Sequence, residues 1–160
     1  MLIIRHAKAE TVFTLNDFER PLNDRGKKDA PEMARRLLQK KIGIDAFVSS
    51  PAKRAKKTAL LFGEVFARTE DDIIFISALY HAPAEIFYEV IEQFSDGFDT
   101  VAVFAHNPGI TDFANSLTAT VKVDNMPTCS VFAVNAAIDS WRDFTNAKKT
   151  FLFFDYPKNL

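Results

Sequence analysis

All three histidines of the chain, His6, His81 and His106, stand just after short apolar runs. Arg5 precedes the first of them, and Arg54 follows Ser49-Ser50-Pro51 after another such run. Two or three imidazoles and two guanidiniums, without a matching set of carboxylates, make a poor metal site, which would usually add Asp, Glu or Cys ligands. They suit a phosphoryl group. A guanidinium presents a planar fork that matches phosphate oxygens in pairs. A neutral imidazole, with an ordinary pKa near 6.5, keeps a free lone pair at neutral pH and can attack phosphorus, while its other nitrogen is fixed by a hydrogen bond. Each residue alone has an ordinary structural explanation: a hydrogen-bonded histidine, a solvated arginine in a first helical turn, an Asn-Pro-Gly cap. Their convergence carries the inference.

The elements that must position these groups alternate along the chain. Strands are predicted at Leu2–Arg5, Ala46–Ser49, Ile73–Ser77, Val101–Ala105, Ser130–Asn135 and Phe151–Asp155, all short and rich in Val, Ile and Phe, as strands buried on both faces should be. Between them, Ala30, Met33, Ala34, Leu37 and Leu38 recur at helical spacing, with Pro31 starting or kinking that helix. A second helix is predicted over Ala52–Ala67 with Pro51 at its start, and a third over Ala84–Phe94. Asn107 is expected to cap a fourth whose first turn holds Pro108. This alternation predicts an α/β fold: a three-layer α/β/α sandwich around a central, largely parallel, mixed sheet of about six strands. The last two strands lack a helix between them and are open to an antiparallel arrangement. Open α/β sheets bind ligands at the carboxyl ends of their strands, where His6, Ser49–Arg54, Tyr80-His81 and His106 all fall.

The blocks Arg5-His6-Ala7-Lys8-Ala9-Glu10, Ser49-Ser50-Pro51-Ala52-Lys53-Arg54 through Ala59, and His106-Asn107-Pro108-Gly109 together resemble the signatures of the histidine phosphatase superfamily. The short chain, the segment Arg20-Pro21-Leu22-Asn23 leading to Gly26, and the end from Trp141 through Phe153 to Leu160 resemble its small bacterial phosphohistidine phosphatases of the SixA type. The resemblance runs from Leu2 to Leu160. It implies a phosphoglycerate mutase-like fold, with His6 as a nucleophile that becomes phosphorylated and is then hydrolysed. It further implies that Arg5, Arg54 and His106 stabilise the transferring group, that Arg20 is another phosphate contact, and that no metal or other cofactor is needed. His106 would give the phosphate oxygens a hydrogen bond or a positive charge.

The leaving group is a separate matter, because an alkoxide must be protonated as it departs. The loop after the third strand reads Leu79-Tyr80-His81-Ala82-Pro83, and its first carboxylate is Glu85, already in a helix. His81 is a candidate weak acid there, or a solvated loop residue. The missing carboxylate favours a phosphorylated imidazole, which leaves more easily. The expected substrate is therefore a phosphorylated protein, such as a histidine phosphotransfer domain. A small phosphorylated metabolite is the alternative, and a non-catalytic phosphate-binding module is the alternative of another class. A mutase would need a longer chain.

The remaining features set bounds. The chain has 160 residues, 48% hydrophobic and 26% charged, which fits one domain over residues 1–160. Sixteen phenylalanines against five glycines suit a packed core. A lone cysteine, Cys129, excludes an internal disulfide and reads as a small core residue. No apolar run is long enough for a membrane span and no signal peptide is evident, so the cytoplasm is expected. A net charge of −1 and the lack of a reading motif argue against nucleic acid, although Lys53-Arg54-Ala55-Lys56-Lys57 is dense in base. That run is either a solvated helix face or a field that draws in an anion. Asp24 and Asp112 read as first-turn helix residues. The stretch Glu10–Glu19 is open to being a loop over the pocket.

Overall fold

A computed structural model describes all residues 1–160. Six strands form one sheet: β1 (Leu2–Arg5), β2 (Ala46–Ser49), β3 (Ile73–Phe75), β4 (Val101–Ala105), β5 (Val131–Ala136) and β6 (Lys149–Asp155). Their order across the sheet is β3-β2-β4-β1-β5-β6. The first four are mutually parallel; β5 runs antiparallel to β1, and β6 antiparallel to β5. Four helices connect them: α1 (Asp24–Gln39), α2 (Lys53–Val65), α3 (Ala84–Ile91) and α4 (Gly109–Leu117).

The period-two alternation of strand side chains divides the core into two layers. Leu2, Ile4, Phe47, Ala102 and Phe104 pack with Met33 and Leu37 of α1 and Phe62 of α2. Ile3, Val48, Val101 and Val103 face the other way, toward Phe87 and Ile91 of α3 and Ile110 and Phe113 of α4. The sheet is thus covered on both faces, and this is the expected three-layer sandwich.

Several boundaries differ from expectation. Strand β3 stops at Phe75, because Ser77–Leu79 turns into a short 3-10 segment that carries the chain to Tyr80. Helix α1 begins at Asp24, not near Pro31. Asn23 caps it by accepting from the Gly26 N–H at 2.9 Å, and Pro31 lies within the helix. Helix α4 begins at Gly109, so Asn107 does not cap it. The Asn107 side chain instead accepts from the Thr111 hydroxyl at 2.6 Å and donates to the Met126 carbonyl at 3.2 Å. Asp24 and Asp112 do lie in the first turns of α1 and α4.

Two glycines fix how the helices meet the carboxyl edge of the sheet. A Cβ on Gly109 would stand 1.7 Å from the Ala82 carbonyl oxygen, and one on Gly26 would stand 2.2 Å from that of Lys8. The start of α4 therefore presses on the loop carrying Tyr80 and His81, and the start of α1 presses on the segment just after His6.

Candidate active site

The exit of β1 is held in place. The His6 N–H donates to the Ala105 carbonyl at 3.0 Å, and the Ala7 N–H donates to the Thr58 hydroxyl at 2.9 Å. Thr58 in turn donates to the Arg54 carbonyl at 2.7 Å, so one side chain couples the His6 segment to α2. His6 Nδ1 lies 2.8 Å from the Ala7 carbonyl oxygen. A carbonyl only accepts, so Nδ1 carries the hydrogen and Nε2 keeps its lone pair. Arg54, only 3% exposed, donates from Nε to that lone pair at 3.3 Å. The basic run of α2 is therefore divided. Arg54 turns inward, Lys53 and Lys57 are exposed, and Lys56 pairs with Glu70.

His106 packs against His6 with ring centroids 5.1 Å apart. Its Nε2 meets the Ser50 hydroxyl at 2.8 Å. With the Ser50 hydroxyl, which also accepts from the Ala52 N–H at 3.3 Å, donating to Nε2, the ring proton stands on Nδ1. Nδ1 is buried without a partner in the chain, and so is Nε of Arg5. Arg5 is steadied by donation from Nη1 to the Met126 carbonyl at 2.7 Å. Buried donors with no acceptor are costly unless something else satisfies them, and an anion does so well. The N–H groups of Ile110, Thr111 and Asp112 in α4 already bond to the carbonyls of His106 and Pro108. That helix start adds less to an anion site than its position suggests.

Asp17 is the residue sequence reasoning missed. It opens a short 3-10 turn, Asp17–Glu19, in the loop between β1 and α1. The loop closes on itself: Glu10 N–H donates to the Pro21 carbonyl at 2.8 Å, beside a bridge between Ala9 and Leu22. Arg54 Nη2 donates to Asp17 Oδ2 at 2.8 Å and Arg54 Nη1 donates to the Asp17 carbonyl at 2.6 Å. The Tyr80 hydroxyl and His81 Nε2 reach the same Oδ2 at 2.8 and 2.9 Å. Arg20 reaches Oδ1 from Nη1 at 3.0 Å while its Nε holds the Glu10 carbonyl at 3.0 Å. The loop after β3 carries no carboxylate, as read from the sequence, but Asp17 is brought beside it. The carboxylate comes from the first loop, not from the segment after β3. Of the six residues expected at the site, His6, Arg54, Arg20 and the candidate acid His81 are joined by hydrogen bonds directly or through Asp17, His106 packs against His6, and Arg5 precedes His6 in the chain. The signal for Asp17 in the sequence was its place three residues before Arg20, a spacing that pairs charges across one turn.

The electrostatics follow from burial. Burial lowers the His6 pKa to about 3; the Ala7 hydrogen bond opposes this, and the charges of Arg54, Arg5 and Arg20 add to it. Burial, with the charges of His6, Arg54 and His81, lowers that of His106 to about 2, against the pull of Asp17. Both rings are neutral at pH 7, so of the two expected roles of His106, hydrogen bond or charge, the neutral donor fits. Partial burial alone would raise the Asp17 carboxyl, but hydrogen bonds from Tyr80, Arg54, Arg20 and His81 hold it well below the usual carboxylate range. Cys129 is fully buried and its thiol is pushed up by burial, as suits a core residue.

A stability prediction follows. Below pH 6.5 the unfolded chain protonates His6 and His106, while the folded chain does so only toward pH 3 and 2. Stability is therefore present above pH 6.5 and is lost as pH falls through that window. The urea midpoint should drop between pH 7 and pH 5, with a shallower slope in His6→Ala. An unchanged slope in the variant would refute the assignment. Asp17 adds a loss only below its ordinary value of 3.8.

No three His, Cys, Asp or Glu side chains group in a way that could hold a metal ion. No helix is long and apolar enough to cross a membrane.

The model of the histidine phosphatase superfamily (branch 1) matches residues 1–77, the part that carries His6, Asp17, Arg20 and Arg54. Among solved structures, the chain is similar to the protein histidine phosphatase SixA in complex with tungstate. That likeness has a TM-score of 0.84 at 21% identity and covers 99% of this chain and 97% of the other. A SixA-type protein of Agrobacterium tumefaciens has a TM-score of 0.79 at 22% identity, covering 98% of this chain and 96% of its own. A mycobacterial glucosyl-3-phosphoglycerate phosphatase has a TM-score of 0.65 at 12% identity, covering 95% and 96%. At such identities these likenesses establish the fold. No curated protein matches the chain by sequence.

Proposed function

We propose that the chain, whose residues 1–77 match the model of the histidine phosphatase superfamily (branch 1), is a member of that superfamily and a phosphohistidine phosphatase working through a covalent phosphoryl group on His6 Nε2. The observation that carries this is the state of His6: Nδ1–H tied to the Ala7 carbonyl and a free Nε2 lone pair against the buried Arg54 fork. In-line attack by Nε2 places positive charge on the ring, which the Ala7 carbonyl stabilises from the other side. Arg5 Nε and His106 Nδ1 offer buried donors to the phosphoryl oxygens, and Arg54 and Arg20 offer charge.

The substrate class is inferred from Asp17. An ionised carboxylate has no proton to give a departing alkoxide. A phosphorylated imidazole whose second nitrogen is protonated leaves as a neutral ring and needs none. A phosphorylated protein in the cytoplasm is therefore the substrate we assign, and His81, hydrogen-bonded to Asp17, acts as its holder more readily than as an acid. The metabolite alternative has the same fold, since a glucosyl-3-phosphoglycerate phosphatase shares it.

At equal enzyme, a phosphohistidine-bearing protein should be turned over at least about 10²-fold faster, in kcat/KM, than a panel of phosphate monoesters. Faster turnover of the esters would reverse the substrate assignment while leaving the nucleophile intact.

A further inference from the structure

We propose that the groove between the start of α1 and the first turns of α2 docks an acidic segment of the phosphorylated protein, one that carries apolar anchors. This rests on the phosphohistidine phosphatase reading and deepens it by naming what flanks the phosphorylated imidazole. The groove has a cavity volume of about 300 Å³ and shares no lining residue with the site at His6. Pro21, Leu22 and Leu60 line part of it, and Lys27, Lys53, Lys56 and Lys57 the rest, with no acidic residue among them. Its surface is almost wholly apolar, so the lysines present their stems to the groove and their charges to the rim.

Local structure does not account for these cations. The amino end of a helix carries partial positive charge and disfavours them. Yet the first turn of α2 holds Lys53, Arg54 and Lys56, has no acidic residue, and its cap residue Ala52 makes no side-chain hydrogen bond. Arg54 is turned inward, and Lys56 pairs with Glu70 and lies over the Phe75 ring. Lys27 has only the exposed Asp24, at 3.6 Å. Lys53 and Lys57 are exposed and belong to none of the ion pairs of the chain. Free positive charge therefore borders an apolar trough. A small anion has no use for the apolar surface, and a nucleic acid finds no aromatic ring there on which to stack a base. An acidic protein segment with apolar side chains uses both.

The groove adjoins the site. Pro21 follows Arg20, which holds Asp17, and Lys53 precedes Arg54, which holds His6 Nε2. Leu22 is bridged to Ala9 at the neck of the first loop. A segment seated in the groove thus continues onto the rim of the site, and a phosphohistidine near its end is delivered to His6.

The experiment compares phosphohistidine peptides of one length. The first has glutamates and leucines at helical spacing beside the phosphohistidine, the second has lysines for the glutamates, and the third has glutamines for the leucines. Labelled phosphoramidate is the donor with no flanks. The wild type should prefer the first peptide to either other by roughly tenfold in kcat/KM, with the difference in KM. Lys53→Glu/Lys57→Glu should reverse the preference between glutamate and lysine peptides, while phosphoramidate turnover stays within about threefold. Lys53→Gln/Lys57→Gln should fall between. Equal rates on the three peptides, or a wild-type preference for the lysine peptide, overturn the proposal. So does a dependence on the glutamates alone, which marks a long-range field and not a groove. So does loss of phosphoramidate turnover in both double variants, which would put the lysines in the phosphate site. Stronger competition by an oligothymidylate than by the unphosphorylated acidic peptide would overturn it in favour of nucleic acid. A wild type that dephosphorylates none of the four donors sinks the phosphohistidine phosphatase reading as well. An active enzyme blind to the flanks leaves that reading standing.

Discussion

Replacing His6 with alanine should lower turnover of a phosphohistidine substrate by about 10⁵–10⁶-fold, the scale seen when a covalent nucleophile is removed. No neighbouring group can take its place. His106 is neutral and its Nε2 is turned to Ser50, and His81 is held on the outer side of Asp17. The donors around His6 have anchors besides the ring, Arg54 through its bonds to Asp17. Arg5 is fixed by Met126, and His106 by Ser50. His6→Ala should therefore still bind phosphate or tungstate within about tenfold of wild type, as titration calorimetry would show. The separation of binding from turnover is what distinguishes an enzyme from a phosphate-binding module. Residual turnover within tenfold of wild type, with no label on the wild-type protein, would leave only the module.

Arg54→Lys should lower kcat by about 10³–10⁴-fold, although the charge is kept. Arg54 uses three nitrogens on three acceptors: His6 Nε2, the Asp17 carbonyl and Asp17 Oδ2. An ammonium is a point charge on a flexible stem and cannot hold that fork. Two effects combine. Preorganised donation to the phosphoryl oxygens is lost, at about 10²–10³-fold for one such donor. The first loop also loses the contact that brings Asp17 to the site. The second effect has its own readout: amide exchange across residues 11–19 should quicken in Arg54→Lys while the sheet stays protected. A variant that keeps kcat within about fivefold would show that Arg54 is a structural residue of α2.

The contrast between Arg54 and Asp17 shows what the sequence could convey. The strands β1, β2 and β4 end where expected because they are buried on both faces, and an unbroken apolar run stops sharply at its first polar residue. The polar residues found there, His6, Ser49-Ser50 and His106, were legible for the same reason. Arg54 was legible because it lies one helical turn beyond such an end. Asp17 sits in an irregular loop with no periodicity to mark it, and its partners Arg54, Tyr80 and His81 come from distant parts of the chain. Only tertiary structure puts them together. Asn107 misled for a related reason. Asn before Pro-Gly after a strand is a sound local cap signal, but Thr111 and Met126 offered its amide better partners.

The loop that carries Asp17 leaves and rejoins the framework at a single place, where Glu10 meets Pro21 and Ala9 meets Leu22. Its tip, with Phe13 and Leu15 exposed, takes no part in either core layer. Closing a longer loop at those ends costs only about 0.6 kcal/mol for each doubling in length. The segment is therefore an exchangeable cassette. His6 and Arg54 of α2 belong to the rigid frame. The carboxylate, Arg20 and the outer rim belong to a piece that can be lengthened or swapped without refitting a strand. Such a division lets substrate preference evolve, or be engineered, at a pace that the phosphoryl chemistry does not share.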